Sequence, residues 1–123
     1  MKLNFYKCKI MHIGKRNSNW HYHISDEKGK RYQISETKLE KDLGLYISSN
    51  LKWNEQSNRA ASKANSLLGM LKRTFTCRDP ELWKTLYTSY IRPQLEYAIA
   101  AWNPYQKGDI KTLEKIQRRC TRI

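Results

Sequence analysis

Four cationic residues near the end of the sequence, Lys111, Lys115, Arg118 and Arg122, follow spacings of four, three and four. On a helix they fall within about 60° of one another and make a single row. Arg59, Lys63 and Arg73 form a looser row on an earlier stretch. Such a row can follow a phosphate backbone, which passes a helix as a line of charges and gives up its counterions to lysine and arginine. Rows of charge are also the ordinary solvated face of a helix. The balance of the whole chain favours the first. In 123 residues, 24 Lys and Arg stand against 11 Asp and Glu, a net charge of +13. Few acids are left to neutralise the rows, so nucleic-acid contact is the expectation.

Other reactive residue types are present without a complete constellation. Cys8, His12, His21 and His23 are of zinc-ligand type. Their spacing lacks the close cysteine pairs of a zinc site, and with Trp20 and Tyr22 between them they read as half-buried strand histidines. The aspartates are Asp26, Asp42, Asp79 and Asp109, each alone in a turn or cap context. A lone carboxylate cannot hold the metal pair of phosphoryl-transfer chemistry. There is no Gly-x-Ser-x-Gly elbow, no phosphate-cradling glycine loop and no His-Glu-x-x-His. An active site complete within these residues is not expected.

The elements that must carry the rows change character near residue 50. Before it, 8–13, 20–24, 31–35 and 43–48 alternate polar with apolar or aromatic residues, the pattern of half-buried strands. Turn signals at 14–19 and 26–30 separate them, which predicts a short antiparallel meander. After it the period becomes helical. Ala60, Ala61, Ala64, Leu67, Leu68, Leu71 and Phe75 share one face over 55–75. Asp79-Pro80-Glu81 is a helix start, with an N-cap acid, proline at the first position and an acid favoured by the helix dipole. Leu82, Leu86 and Tyr90 continue that helix inward, and Arg92-Pro93 is expected to interrupt it. The stretch 93–102 is apolar nearly all round and so is expected to be buried on several sides. Gly108-Asp109 opens a last helix with Ile110, Leu113, Ile116, Cys120 and Ile123 on one face. The predicted class is α+β, a short β-meander over 1–53 followed by a three- to four-helix bundle over 54–123.

No apolar run approaches the roughly 18 residues of a membrane span, and Met1-Lys2-Leu3-Asn4 opens no signal-peptide core. The three cysteines are odd in number and scattered, and no glycosylation sequon occurs. These features predict an intracellular chain, cytoplasmic or nuclear, with no membrane partner.

Read in order, the residues resemble a known family. Asn4-Phe5-Tyr6-Lys7-Cys8-Lys9-Ile10-Met11-His12-Ile13-Gly14 is similar to the segment that follows the catalytic aspartates in reverse transcriptases of non-LTR (LINE-type) retrotransposons. Glu40-Lys41-Asp42-Leu43-Gly44-Leu45-Tyr46-Ile47, then Asn50-Leu51-Lys52-Trp53, look like their next motif. Lys63-Ala64-Asn65 and Leu68-Gly69-Met70-Leu71-Lys72-Arg73-Thr74-Phe75 resemble the first thumb helix. Ile91-Arg92-Pro93-Gln94-Leu95-Glu96-Tyr97, Ala101-Trp102-Asn103-Pro104-Tyr105 and Leu113-Glu114-Lys115-Ile116-Gln117-Arg118-Arg119 resemble the region after it. The resemblance runs collinearly over nearly the whole chain.

It implies the end of a polymerase palm followed by the thumb. Lys7 then corresponds to a proton donor to pyrophosphate, and Leu43-Gly44 to a primer grip holding the primer's 3′ end. The helices would close over a template–primer duplex or RNA–DNA hybrid, with the rest of the palm and the fingers as partners. The family's metal-binding aspartates lie upstream of such a segment, so Mg2+ is expected only for an intact polymerase and no cofactor in this chain. A truncated copy or fragment, inactive alone, is the expectation. The alternative is a stand-alone basic retrotransposon-derived protein that binds RNA, DNA or a protein partner.

Overall fold

The computed structural model of the chain describes residues 2–122. The fold is α+β, and it divides into two compact units, Met1–Lys52 and Trp53–Ile123.

The first unit is built from short strands in two-stranded pieces. A 3-10 turn, Phe5–Lys7, is capped by the Asn4 side chain and leads into β1 (Lys9–Ile10). Strands β2 (His23–Ser25) and β3 (Arg31–Gln33) form an antiparallel hairpin, as do β5 (Leu39–Asp42) and β6 (Leu45–Ser48). The meander is thus realised as hairpins. The first strand departs from it, because β1 pairs parallel with β4 (Ser35–Glu36). A parallel pair needs a long crossover between its strands, and here the β2–β3 hairpin lies within that crossover. Asp26 fixes the β2–β3 turn by accepting from the backbone N–H groups of Lys28 and Lys30, both at 2.9 Å. Tyr32 on β3 stacks on Phe5, with ring centroids 5.0 Å apart. Among the described residues Leu45 is the one buried hydrophobic of this unit.

The second unit holds the core. Helix α1 (Asn54–Thr74) buries Ala61, Ala64, Leu68 and Leu71 against Leu86, Ile91 and Leu95 and against Ile116 and Cys120 of α5 (Lys107–Thr121). Helix α2 (Pro80–Leu86) starts where the sequence places it: Asp79 Oδ2 accepts from the Leu82 N–H at 3.0 Å. Replacing Asp79 with Ala should cost about 1 kcal/mol. In a unit of this size that lowers Tm by about 4–8 °C, readable by circular dichroism. An unchanged Tm would mean that the cap contributes nothing.

Two expectations need correction. Arg92-Pro93 does not break the helix. The chain passes through one π turn, Tyr87–Ile91, in which the Arg92 N–H reaches back to the Tyr87 carbonyl, and continues as α3 (Arg92–Glu96). The wider turn makes room for a proline ring that would otherwise strike the carbonyl four residues before it. It also inserts one residue into the helical phase. The inward position after Leu86 therefore falls on Ile91, which is 1% exposed, while Tyr90 turns outward at 52%. Leu95 then follows Ile91 at the ordinary spacing of four and is buried.

The second correction concerns 93–102. The stretch is not a buried helix: it ends at Glu96, passes through Ala98 in the left-handed region, and makes a single turn, α4 (Ile99–Trp102). Trp102 is buried and donates its Nε1–H to the Tyr97 carbonyl at 2.7 Å. Tyr97, Ile99 and the three alanines are exposed. Alanine carries little apolar area, so exposing it costs far less than a string of apolar letters suggests. On α5, Ile116 and Cys120 are buried and Leu113 packs against the core, whereas Ile110 lies exposed and Asp109 is buried. Ile123, expected on the same face, lies outside the described residues.

Candidate nucleic-acid interface

The cationic row of α5 is intact in three dimensions. Lys111, Lys115 and Arg118 are exposed on the helix, and Arg122 follows as its exposed C-terminal cap residue. With Lys72 of α1, Glu114 and Arg119 they line an open groove of about 670 Å³. Six cations and one carboxylate share that groove, so its potential is strongly positive.

Two contacts set its geometry. Arg119 reaches from α5 to α1 and donates to Asn65 Oδ1, which holds the helices in register. Arg118 pairs with Glu114 at 3.2 Å, one helical turn earlier, with the Arg118 side chain 74% and the Glu114 side chain 47% exposed. An exposed pair of this kind is weak and screened by salt, so Arg118 can exchange its carboxylate for a phosphate at little cost. Beneath the row, burial pushes the Cys120 thiol up from its ordinary value, against the opposing pull of Lys72 and Arg119. Burial thus favours the neutral thiol of Cys120, which packs in the core. Burial likewise raises the Tyr87 phenol, reinforced by Cys120 and Glu96.

The α1 row stands elsewhere. Arg59, Lys63 and Arg73 are exposed but do not line the groove. At roughly 100° per residue Arg59 and Lys63 fall on the opposite flank of α1 from Lys72, which sits about 80° from the middle of the buried stripe, and Arg73 falls straight opposite that stripe, about 100° round from Lys72. Arg59 is also engaged by Glu55 at 2.7 Å. Lys72 and Arg119 were not singled out in the sequence. Their signal was position: each lies beside the apolar stripe of its own helix, where a long side chain can run along the core and end in solvent.

The remaining candidates belong to the other unit. Lys7 lies exposed in the 3-10 turn and not in a strand. Leu43 and Gly44 form the two-residue loop between β5 and β6, with φ of 47° and 83°. Positive φ at both positions is the type I′ turn, whose twist matches that of the flanking strands. Glycine suits the second position. Leucine at the first is unfavourable by about 1–2 kcal/mol, and its side chain stands 85% exposed.

Among the described residues no group of three or more His, Cys, Asp or Glu could hold a metal ion. Asp79 is committed to its cap and Asp26 to its turn. The residues present therefore do not fit a two-metal centre. No helix among the described residues is long and apolar enough to cross a membrane. Compared with protein-family models, with curated proteins and with solved structures, the chain matches none.

Proposed function

We propose that this chain is a template–primer-binding segment of a LINE-type RNA-directed DNA polymerase, comprising the end of its palm and its thumb. The observation that carries this reading is the groove: six cations from two helices converge on one open surface of the helical unit. A phosphate backbone is the ligand such a surface serves best, because each cation releases a condensed counterion and none has to read a base. The collinear motifs add support, with Leu43-Gly44 at the tip of a hairpin as a primer grip requires. On this reading the chain binds duplex or hybrid and contributes Lys7 near the leaving pyrophosphate, while the paired aspartates come from another part of the polymerase.

The purified chain should bind duplex DNA and RNA–DNA hybrid with steep salt dependence and little sequence preference, as read by fluorescence anisotropy across salt concentrations. It should extend no primer on an RNA template with Mg2+ or Mn2+, because among the described residues no group of three or more His, Cys, Asp or Glu could hold the metal ions that nucleotidyl transfer needs. Salt-insensitive binding would overturn the first expectation, and primer extension the second.

One observation favours a second reading, a stand-alone basic protein whose partner is another protein. Tyr97, Ile99 and Tyr105 are 54%, 40% and 67% exposed along one stretch of chain. That reading predicts that neutralising the α5 row leaves the salt dependence of duplex binding unchanged.

A further inference from the structure

The groove does not end at its basic row. Lys72 and Arg122 also line a second, smaller pocket of about 280 Å³, whose other walls are Phe75, Thr76, Arg78 and Trp83. Among the described residues no carboxylate lines it. Two aromatic rings thus sit beside three cations at the end of a track of cations. Phe75 is the residue that closes α1, its N–H donating to the Leu71 carbonyl at 2.9 Å. Trp83 donates its Nε1–H to the Cys77 carbonyl at 3.0 Å, which fixes the indole in place and spends its one polar group. Phe75 and Trp83 both pack partly against the core, and what Trp83 has left to offer a ligand is the part of its apolar ring surface that lines the pocket.

We infer that this pocket takes one unpaired nucleotide at the end of a duplex held in the groove, its base against Phe75 and Trp83 and its phosphate between Arg78 and Arg122. The inference rests on the nucleic-acid reading of the groove. Paired bases inside a duplex are stacked on each other and closed to a protein ring, whereas an unpaired terminal base offers both faces. The track is long enough to hold the duplex first. From Lys111 to Arg122 is about 16 Å at 1.5 Å per residue, and successive phosphates advance by about 3.4 Å per strand along the duplex axis. The pocket lies past the Arg122 end of that track. Its volume suits one base and sugar, so the first unpaired nucleotide should supply the gain and a second should add little.

The test compares one blunt duplex with the same duplex carrying one or two unpaired nucleotides, at the 3′ or the 5′ end, as DNA and as RNA. One unpaired nucleotide should tighten binding roughly tenfold, in line with a single base–aromatic stack, and should quench tryptophan fluorescence. Arg78 is exposed in the connection between α1 and α2, so Arg78→Ser leaves the core untouched. That variant should lose most of the tenfold gain while binding the blunt duplex as before. Lys111→Ser/Lys115→Ser should do the reverse, weakening the blunt duplex and keeping the gain. Trp83→Phe should retain the gain and lose the quench. Equal affinity for blunt and overhanging duplexes, both bound with steep salt dependence, overturns this inference and leaves the groove standing. If blunt duplex does not bind while a short single strand does, with the Trp83 quench, the groove reading falls and the pocket stands.

Discussion

Neutralising Lys111, Lys115, Arg118 and Arg122 together should flatten the dependence of duplex affinity on salt by roughly three to four units in log–log slope, at about 0.9 per phosphate contact. Lys72 faces the same groove, so Lys72→Ser should remove close to one further unit. The loss is largest at low salt, where a change of three units in slope corresponds to about a thousandfold in affinity for each tenfold in salt. Arg118 carries a local cost besides. Its exposed pair with Glu114 is worth only about 0.3–0.5 kcal/mol, so the quadruple variant stays folded and the change in slope reports binding. The control is Arg59→Ser/Lys63→Ser/Arg73→Ser, which alters the far side of α1. It should move the slope by less than the α5 set does. An unchanged slope in the α5 variant would assign that row to a solvated face.

How much of this was legible in the sequence depends on what each signal measures. Periodicity over 55–75 gave α1 nearly to the residue, and the Asp79-Pro80 signal gave the start of α2, because both are local properties of the backbone. The α5 row was legible for the same reason: three- and four-residue spacings become a face whatever the helix packs against. The π turn was not legible. Proline announces that hydrogen bonding must change, but whether the helix breaks or widens depends on what the displaced residues pack against. Here Ile91 replaces Tyr90 in the core.

The exposure of residues 96–101, between buried Leu95 and Trp102, is not legible in the sequence, because an apolar composition states a preference for burial without supplying a partner. Ala98, in the left-handed region, ends the helical phase before the alanines reach a neighbour. The groove and the Phe75–Trp83 pocket depend on which flank of α1 meets α5, a tertiary fact. Lys72 and Arg119 are ordinary cations in the sequence and acquire a role only through that contact.

Leu68→Ala should lower the stability of the helical unit by about 2–5 kcal/mol. Leu68 is 1% exposed at the centre of the cluster that joins α1, the segment 86–95 and α5, so the cavity left by truncation is lined from three directions and cannot collapse onto one neighbour. Amide hydrogen exchange resolves where that loss is felt. In the parent chain the amides of α1 and α5 should be the slowest, because they open only when the shared core opens. The β2–β3 and β5–β6 hairpins are two-stranded, and among the described residues their unit buries one hydrophobic side chain, Leu45. Pairs of strands without a packed layer are marginal in water, so their amides should exchange sooner. In Leu68→Ala the protection of the helical amides should fall together, by about 30-fold at the low end of that range. The hairpin amides should hold their parent rates, since their opening does not pass through the helical core. If the hairpin amides are as slow as those of α1, or if they lose protection in step with α1 when Leu68 is cut back, strands and helices unfold as one unit. The division at residue 53 would then describe contacts without describing stability.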